Sequence, residues 1–384
     1  GIDNNLSLEG KRKEIQKSKY GVSENRSKLL PQINAIAGYN NNFDPPVSVT
    51  DGSSYGVPYN ITKTLQHSAN AGLEMQMPLF NQTLYTSMSI AKVMEEISRL
   101  SYGKAREDVI LQISKMYYLG QVTAEQIMLI KANIIRLEEL RDITQAFFDN
   151  GMSMEVDLKR VNINLENLKV QYDNAQAMMK QQLNMLKYIM DYPAEKEIAL
   201  TPVNTDSITT VALTGLSENI YELQLSQSQV QLAERQKKII TNGYIPSLSL
   251  TGSWRYAAYT DKGYHWFHSG PSNQWFRSYG VGLTLRIPIF DGLDKTYKIK
   301  KAMIDIENKR LAWEDARKNL QTQYLNAVND LMNNQRNFKK QKDNYLLAED
   351  VYAVTSDRYR EGIASMTEVL QDEMQMSEAQ NNYI

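Results

Sequence analysis

The sequence of 384 residues contains no cysteine, carries a formal net charge of −1, and has no long uninterrupted apolar run. Without cysteine the chain forms neither disulfides nor thiolate metal sites, and any cellular compartment tolerates that composition. The nearly balanced charge provides no basic field that would attract nucleic acid. No stretch of 18 or more apolar residues is present, so the sequence predicts no transmembrane helix.

Catalytic motifs are absent as well. The sequence has no glycine-rich phosphate loop before a helix, no nucleophile elbow and no HExxH pattern. His265 and His268 are three residues apart but have no neighbouring acid or cysteine, so a metal site there is not expected. The methionines at 178, 179, 185 and 190 favour packing over soft-metal binding. We therefore predict that the chain is not an enzyme and has no cofactor and no metal.

The sequence does contain a long-period duplication. AGLEMQMPLF at 71–80 returns as VGLTLRIPIF at 281–290, and LPQI at 30–33 returns as IPSL at 245–248. FFDNG ending at Gly151 returns as RYREG ending at Gly362, 211 residues later. Three motifs that recur in the same order at nearly the same spacing indicate two copies of one structural unit.

Each copy contains two segments with the two-residue alternation of a β-strand. In 247–258, the side chains of Leu248, Leu250 and Trp254 share one face, and Ser249, Thr251 and Ser253 share the other. Such alternation predicts a sheet with water on one side only. The strands have about 10–12 residues, the length that a tilted strand needs to cross a bilayer. We predict loops at 44–66 and 259–277, and the aromatic residues of the second fit either a surface cluster or the girdle of a membrane barrel.

After Phe80 and Phe290 the apolar period becomes helical. A spacing of three and four residues predicts helices of roughly 65 residues, about 100 Å long at the rise of an α-helix and too long for a globular domain. Each helix stops at a glycine, Gly151 or Gly362, suited to a left-handed cap. The predicted seams are Val109, Ile113, Met116, Gly120, Thr123, Ile127, Ile130, Ile134, Leu137, Arg141, Thr144 and Phe148; Val161, Leu165, Leu168, Tyr172, Ala175 and Met179; and Leu320, Tyr324, Ala327, Leu331, Asn334, Phe338, Gln341, Tyr345, Ala348, Tyr352, Thr355 and Tyr359.

These patterns divide the chain into two repeats and a linker. The predicted first repeat is 1–190, with a helix at 6–30, strands at 32–43 and 67–77, and a helical hairpin at 84–190. A linker at 191–215 precedes the second repeat at 216–384, with a helix at 216–244, strands at 247–258 and 278–287, and a hairpin at 295–384. The second hairpin is shorter than the first, so we expect a truncated chain or a missing tail. The polar N-terminus predicts a cytosolic protein or a mature chain without its export signal.

Four strands with one apolar face cannot close into a barrel, and open sheet edges are not tolerated in lipid. Either the sheet packs on helices in a soluble protein, or several chains each contribute four strands. Repetition around one axis would satisfy the strands and the hairpins together, as a β-barrel continued by a tube of helices.

The repeated motifs resemble the TolC-like outer-membrane efflux channels of Gram-negative bacteria. The resemblance rests on Leu29–Ile33 and Ile245–Leu248, Gly72–Phe80 and Gly282–Phe290, and Phe148–Leu158 and Tyr359–Leu370, and it covers nearly the whole chain. It implies a mainly α fold with β, in which a homotrimer forms a twelve-stranded β-barrel in outer-membrane lipid (31–80 and 246–290) and a twelve-helix periplasmic tunnel. It also implies a passive exit channel of a tripartite efflux or type I secretion system, with a periplasmic adaptor and an inner-membrane pump as partners.

The resemblance also implies working residues. Asp157 and Tyr359 match an aspartate–tyrosine pair that latches the periplasmic gate of relatives, although Ala364 stands where those relatives have an arginine. Glu368 and Gln371, with Asp372 adjacent, match acidic positions at a cation-selective entrance. The tips at Gly151, Gly362, Arg360 and Glu361 would dock the adaptor, and Pro78 and Pro288 would mark the elbows between strand and helix. Helix-dipole stabilisation of first-turn acids is the alternative explanation for Asp157 and Glu368.

Two other functions fit parts of the pattern. A coiled-coil structural or scaffold protein of the periplasm would have the hairpins without channel activity. A periplasmic adaptor would also have a hairpin, but one hairpin flanked by small β-domains instead of two hairpins interleaved with strand pairs. Solubility without detergent would favour the scaffold, and conductance in planar bilayers would favour the channel.

Overall fold

The computed structural model of the chain describes residues 2, 4–51, 53–202, 215, 217, 219–261 and 275–384. The helices are α1 (Leu6–Ser27), α2 (Gln82–Asp149), α3 (Glu155–Ile189), α4 (Tyr221–Asn242), α5 (Asp294–Arg360) and α6 (Met366–Tyr383). The strands are β1 (Gln32–Asn41), β2 (Val47–Asp51), β3 (Tyr59–Lys63), β4 (His67–Phe80), β5 (Ser247–Thr260) and β6 (Trp275–Arg286). Much of the predicted loop at 259–277, including His265 and His268, lies outside the described residues.

The chain forms two compact units. The hairpin unit consists of Gly1–Lys13, Leu100–Gln224 and Glu314–Ile384, and the sheet unit consists of Glu14–Arg99 and Leu225–Trp313. Each unit therefore combines segments from both halves of the duplicated sequence.

In the sheet unit, four antiparallel strands follow the order β1-β4-β5-β6, which leaves β1 and β6 at the open edges. The register pairs Ala35 with Leu73, Leu73 with Trp254, and Trp254 with Tyr279, so these side chains lie on one face. The predicted separation into an apolar and a polar face is confirmed. The apolar face carries Ile33, Tyr39, Leu73, Met75, Leu250, Trp254, Tyr256, Tyr279, Val281, Leu283 and Leu285; the polar face carries Asn34, Asn70, Glu74, Gln76, Thr251, Ser253, Arg255, Ser278, Thr284 and Arg286.

The predicted loop at 44–66 was wrong in part, because it contains a second, two-stranded sheet. In it β2 pairs with β3 in antiparallel register, with Val49 opposite Ile61. Hydrogen bonds close the base of this hairpin, from the Asn42 N–H to the Gln66 carbonyl (2.8 Å) and from the Thr64 hydroxyl to the Pro46 carbonyl (2.6 Å). The proline, serine and glycine content made a short hairpin read as a loop.

A short polar side chain accepts hydrogen bonds from the first turn of each long helix. The Asn81 side-chain oxygen accepts hydrogen bonds from the Thr83 and Leu84 N–H groups (3.0 and 3.3 Å) at the start of α2. Asp291, 210 residues later, accepts from the Lys295 N–H (3.2 Å) at the start of α5. Short polar side chains at this position satisfy backbone donors that have no partner within the helix. The duplication therefore extends to the helix starts.

The two predicted elbow prolines have different positions relative to the strands. Pro78 lies inside β4, which continues to Phe80, and the pairing with β5 is irregular between these residues. Pro288 lies in the segment between β6 and α5. A proline cannot donate to the ladder, so it disturbs pairing at the first site without ending the strand.

The core of the hairpin unit joins α2, α3, α5 and α6. The predicted seams of α2 and α3 agree with burial at Leu137, Thr144, Val161 and Leu165, which are almost fully buried. The last predicted α2 position is wrong, because Phe148 is exposed and Phe147 packs on the core instead. In α5 the predicted seam shifts locally, because Ala327 and Asn334 are exposed while Val328 and Gln335 are partly buried. The cluster of buried side chains is Ile130, Leu137, Leu140, Val161, Leu165, Leu168, Ala175, Tyr352, Tyr359, Met366, Val369, Leu370 and Met376.

Side chains from other segments of the hairpin unit pack over two glycines of α2. The Tyr221 ring, at the start of α4, lies over Gly103, and beside it Lys104 forms an ion pair with Glu222 (3.0 Å). Leu200 lies over Gly120. These contacts explain why a long helix carries glycine, which weakens an exposed helix. They hold Leu200 and the start of α4 against α2.

Replacement of Gly103 by alanine is expected to destabilise the hairpin unit. A Cβ at this position would lie 2.4 Å from the Tyr221 ring, and forced overpacking costs about 1–3 kcal/mol. Gly10→Ala in α1 is the matched control, because nothing lies within 4 Å of its Cβ position, and helix propensity there favours alanine by about 1 kcal/mol. Thermal unfolding followed by circular dichroism should show a lower midpoint for Gly103→Ala and an unchanged or higher one for Gly10→Ala. A higher midpoint for both variants would contradict the tight contact.

Candidate functional site

Both hairpins turn through a glycine with left-handed backbone geometry. Gly151 has φ +72° and Gly362 has φ +78°. At each turn two N–H groups return to the preceding helix, from Gly151 and Met152 to the Phe148 and Phe147 carbonyls (2.9 and 2.8 Å). Gly362 and its successor bond in the same pattern to Tyr359 and Arg358 (both 2.9 Å). This pattern is the Schellman motif, and the predicted glycine caps are confirmed.

The two turns expose different chemistry. Met152 and Met154 each retain about two thirds of their side-chain surface at the first turn (67% exposed). The second turn exposes Ile363 beside Arg360 and Glu361. The first turn therefore presents two methionine side chains, and the second combines one aliphatic side chain with two charges.

Tyr359 is buried where α5 meets α2. Its hydroxyl lies 3.5 Å from the Thr144 hydroxyl, which in turn donates to the Leu140 carbonyl (2.7 Å). Its ring packs on Phe147 with centroids 5.5 Å apart. Asp157 instead forms an ion pair with Arg160 (3.3 Å) in its own helix. Tyr359 thus packs α5 against α2 at Phe147 and Thr144, and the direct bond between Asp157 and Tyr359 stays a prediction.

Arg360 also links the two hairpins. It contacts Asp357 on its own helix (3.4 Å) and Glu139 on α2 (4.0 Å). All three side chains are at least half exposed, so these pairs contribute little to stability. Solvent exposure leaves Arg360 available to a partner.

Glu368 closes a capping box at the start of α6. The Ser365 N–H donates to the Glu368 carboxylate (2.8 Å), and the Glu368 N–H donates back to the Ser365 hydroxyl (3.3 Å). The Ser-x-x-Glu spacing is a sequence signature of this motif, and sequence reasoning missed it. Glu368 and Gln371 are both exposed, so structural capping and a charge at the surface coexist in Glu368.

One acid of α6 was missed altogether. Glu373 is 6% exposed, and burial raises the pKa of its carboxyl, while the nearby Arg136 charge acts in the opposite direction. Its position follows from the helical period, because Met366, Val369 and Met376 lie on the same buried face. Continuing that period along α6 would have found it.

Further polar side chains lie with Glu373 between α2, α5 and α6 in the hairpin unit. Arg136 donates to Asn133, and Asn133 donates to Gln380 (2.8 Å). From α5, the Tyr345 hydroxyl donates to Glu349 (3.1 Å). We call Asn133, Arg136, Tyr345, Tyr352, Glu373 and Gln380 the interior polar cluster.

In the sheet unit, the polar face carries one ion pair across strands, between Glu74 and Arg255. Both side chains remain partly exposed. No helix within the described ranges has the length and apolar composition of a membrane span. Likewise, the described residues contain no group of three or more acids and histidines arranged to hold a metal ion.

The sequence matches the family described as outer membrane efflux protein over residues 2–190 and 215–384. The chain therefore belongs to this family, and it is an outer-membrane protein of a Gram-negative bacterium with a large periplasmic helical part. The resemblance inferred from the repeated motifs is confirmed.

Individual relatives agree with this assignment. Outer membrane protein TolC of Vibrio cholerae is 21% identical over 319 residues, covering 81% of this chain and 66% of that protein. The probable efflux pump outer membrane protein TtgC of Pseudomonas putida is 23% identical over 361 residues, covering 88% and 71%. The chain thus spans about two thirds of the Vibrio relative. The solved structure of CusC shares the fold, with a TM-score of 0.81 and 16% identity over 100% of this chain and 85% of CusC.

Proposed function

We propose that this chain is the outer-membrane exit channel of a tripartite efflux system, a passive conduit that is gated at the tips of its helical hairpins. The observation that carries the proposal is the four-stranded sheet, apolar on one face and polar on the other, with both edges open. Such edges need partners in lipid. Three copies would supply twelve strands and close a barrel, and the long helices of the same copies would continue it as a tube.

The partners follow from the same arrangement. Several relatives are named as the outer-membrane proteins of efflux pumps, which supports a periplasmic adaptor and an inner-membrane pump as partners here. The hairpin tips are the proposed docking surface, because their glycine turns expose backbone together with Met152, Met154 and Ile363. Arg360 and Glu361 would add charged contacts at the second tip.

The proposed gate lies behind these tips. Tyr359, held by Thr144 and Phe147, fastens α5 to α2, and Asp157 lies in the first turn of α3. A movement of the second hairpin that opens the tube must release Tyr359. Glu368 and Gln371, exposed on α6, would then line the entrance, with one ring of three carboxylates in a trimer.

Planar-bilayer recording with purified chain tests the proposal directly. Stepwise conductance from a detergent-solubilised trimer is expected. A chain that is monomeric and monodisperse without detergent, and that gives no conductance, would favour the periplasmic scaffold instead.

Glu368→Gln is expected to reduce cation selectivity and block by multivalent cations without loss of stability. Glutamine keeps the capping box with Ser365 but removes the charge. Glu368→Ala removes the charge and the hydrogen bond from the Ser365 N–H, and should in addition lower the free energy of unfolding by about 0.3–1.5 kcal/mol. Reversal potentials in a salt gradient measure the selectivity. If both variants retain the selectivity of the wild type, Glu368 does not form the entrance ring.

A further inference from the structure

The interior polar cluster lies where α6 packs on α2 and α5, several turns away from the glycine turn of the second hairpin. Glu373 and Gln380 come from α6, and both are at least nine-tenths buried. Asn133 is equally buried on α2 and receives the hydrogen bond from Arg136. An ionisable carboxyl inside a helical seam is costly unless it is neutral or paired.

Within the described part of the chain, two buried donors of the cluster lack an acceptor. The Arg136 Nε and the Gln380 Nε2 are buried without a hydrogen-bond partner. The Gln380 amide also acts on the Tyr345 hydroxyl, so the Arg136 Nε is the clearer of the two unpaired donors. Unpaired buried donors favour any rearrangement that brings them an acceptor. Arg136 shares a pocket with Glu139, Glu349 and Asp357, but Glu373 is the buried acid whose charge interacts with it.

Each element packed against Glu373 contributes identifiable groups. From α2 it faces Arg136, whose charge is the one that acts on its carboxyl. α5 contributes Tyr352, whose hydroxyl interacts with the charge of Glu373. Tyr345 and Glu349 lie nearer the start of the same helix. From α3, the buried side chains of the same core are aliphatic, including Leu165 and Leu168, and the phenol of Tyr172 packs against the core. Asn133 and Glu373 can thus compete for the guanidinium of Arg136.

We propose that Glu373 and Arg136 form a proton-sensitive lock that fixes α6 against α2 and α5 when Glu373 is neutral and loosens this packing when Glu373 is ionised. The neutral carboxyl fits the buried seam without drawing Arg136 away from Asn133. Ionisation requires either a new pairing with Arg136 or an exit to water, and both disturb the seam. The link to gating rests on the proposed channel function, whereas the lock itself does not.

The sign of the pH dependence follows from burial. Because the packed state raises the pKa of Glu373 above that of the loosened state, the packed state binds the proton more tightly. Packing is therefore strongest at acidic pH and weakens as pH rises from the ordinary carboxyl pKa to the raised one. Across that window the ratio of loosened to packed α6 rises by up to about tenfold for each pH unit.

Thiol accessibility on α6 measures this ratio, because the chain has no native cysteine. In Ala379→Cys the new thiol replaces a buried side chain, and in Gln375→Cys it replaces an exposed one. Both variants of the detergent-solubilised chain are reacted with a maleimide at several pH values. The ratio of the two rates removes the intrinsic pH dependence of the thiol. This ratio is expected to rise with pH.

Combination with Glu373→Gln is the decisive comparison. Glutamine resembles the neutral carboxyl, so the ratio of rates is expected to stay low at every pH. Arg136→Gln removes the cation that opposes the raised pKa of the packed state, so the rise in the ratio is expected to begin at the same pH and to continue to higher pH. Glu378→Gln, an exposed acid on the same helix, should leave the profile unchanged. A profile that is flat in the parent, or that persists in Glu373→Gln, overturns the lock.

Conductance then tests the connection to the gate. If the lock controls the gate, open probability in planar bilayers should rise with pH in the parent and lose this dependence in Glu373→Gln. Loss of all conductance with an intact thiol profile would refute the channel function and leave the lock standing. A pH-dependent thiol profile with pH-independent conductance would overturn the coupling of lock and gate.

Discussion

Leu283→Arg should prevent assembly of the chain in the outer membrane, whereas Thr284→Arg, one residue further along the same strand, should permit it. Leu283 belongs to the apolar face of β6 and Thr284 to the polar face. If the apolar face meets lipid, each arginine at mid-membrane depth costs about 2–4 kcal/mol, or about 6–12 kcal/mol for three copies in one barrel. An arginine on the polar face would point into water.

Membrane fractionation and the yield of detergent-resistant trimers measure this difference. Thr284→Arg controls for the added charge, the length of the side chain and the strand that carries it. It should also weaken cation conductance, because it adds positive charge to the water-filled side. Equal yields for the two variants would mean that the apolar face does not meet lipid, and would remove the main support for the barrel.

Val161→Asp is expected to unfold the packing of the hairpin unit. Val161 is fully buried (0% exposed) in the core shared by α2, α3, α5 and α6. An unpaired carboxylate in such a site costs about 3–5 kcal/mol. Val170→Asp is the matched control on the same helix, because Val170 is 59% exposed. The expected effect of this control on the folding of a single chain is within about 0.5 kcal/mol.

Thermal and denaturant unfolding at neutral and acidic pH separate the two variants. The deficit of Val161→Asp should shrink near pH 4, because the carboxyl is then increasingly neutral and less costly to bury. The small effect of Val170→Asp on stability should not change with pH. An equal loss of stability in both variants would contradict the assignment of the α3 seam.

The sequence predicted the elements whose periodicity is strong. Alternation in 247–258 places Leu250 and Trp254 on one face, and the structure agrees. The seam through Val161 and Leu165 is buried as the heptad spacing requires. Local pattern sufficed in these cases because the same period that forms the element also decides which face is buried.

Other features depend on contacts that no local pattern reveals. The bond of Tyr359 with Thr144 joins residues 215 positions apart, and the contact of Gly103 with Tyr221 joins different repeats. The segment 44–66 was predicted as a loop because it is rich in proline, serine and glycine. The alternation of Val47, Val49, Tyr59 and Ile61 was not used, so the β2–β3 hairpin was missed. Glu373 was missed because the predicted seams end at Tyr359 and were not continued into α6, where Glu373 belongs to the buried period.

The strand order has a consequence for biosynthesis. The central partner of β4 is β5, and their register joins Leu73 to Trp254, so the middle of the sheet pairs only after most of the chain has been made. Ordering such distant segments is slow, because loop closure precedes any gain from pairing. During export, β4 would travel with one side of its backbone unpaired and prone to aggregation. A holding chaperone between the inner and outer membranes is therefore expected to determine the yield of folded chain more than any single contact in it.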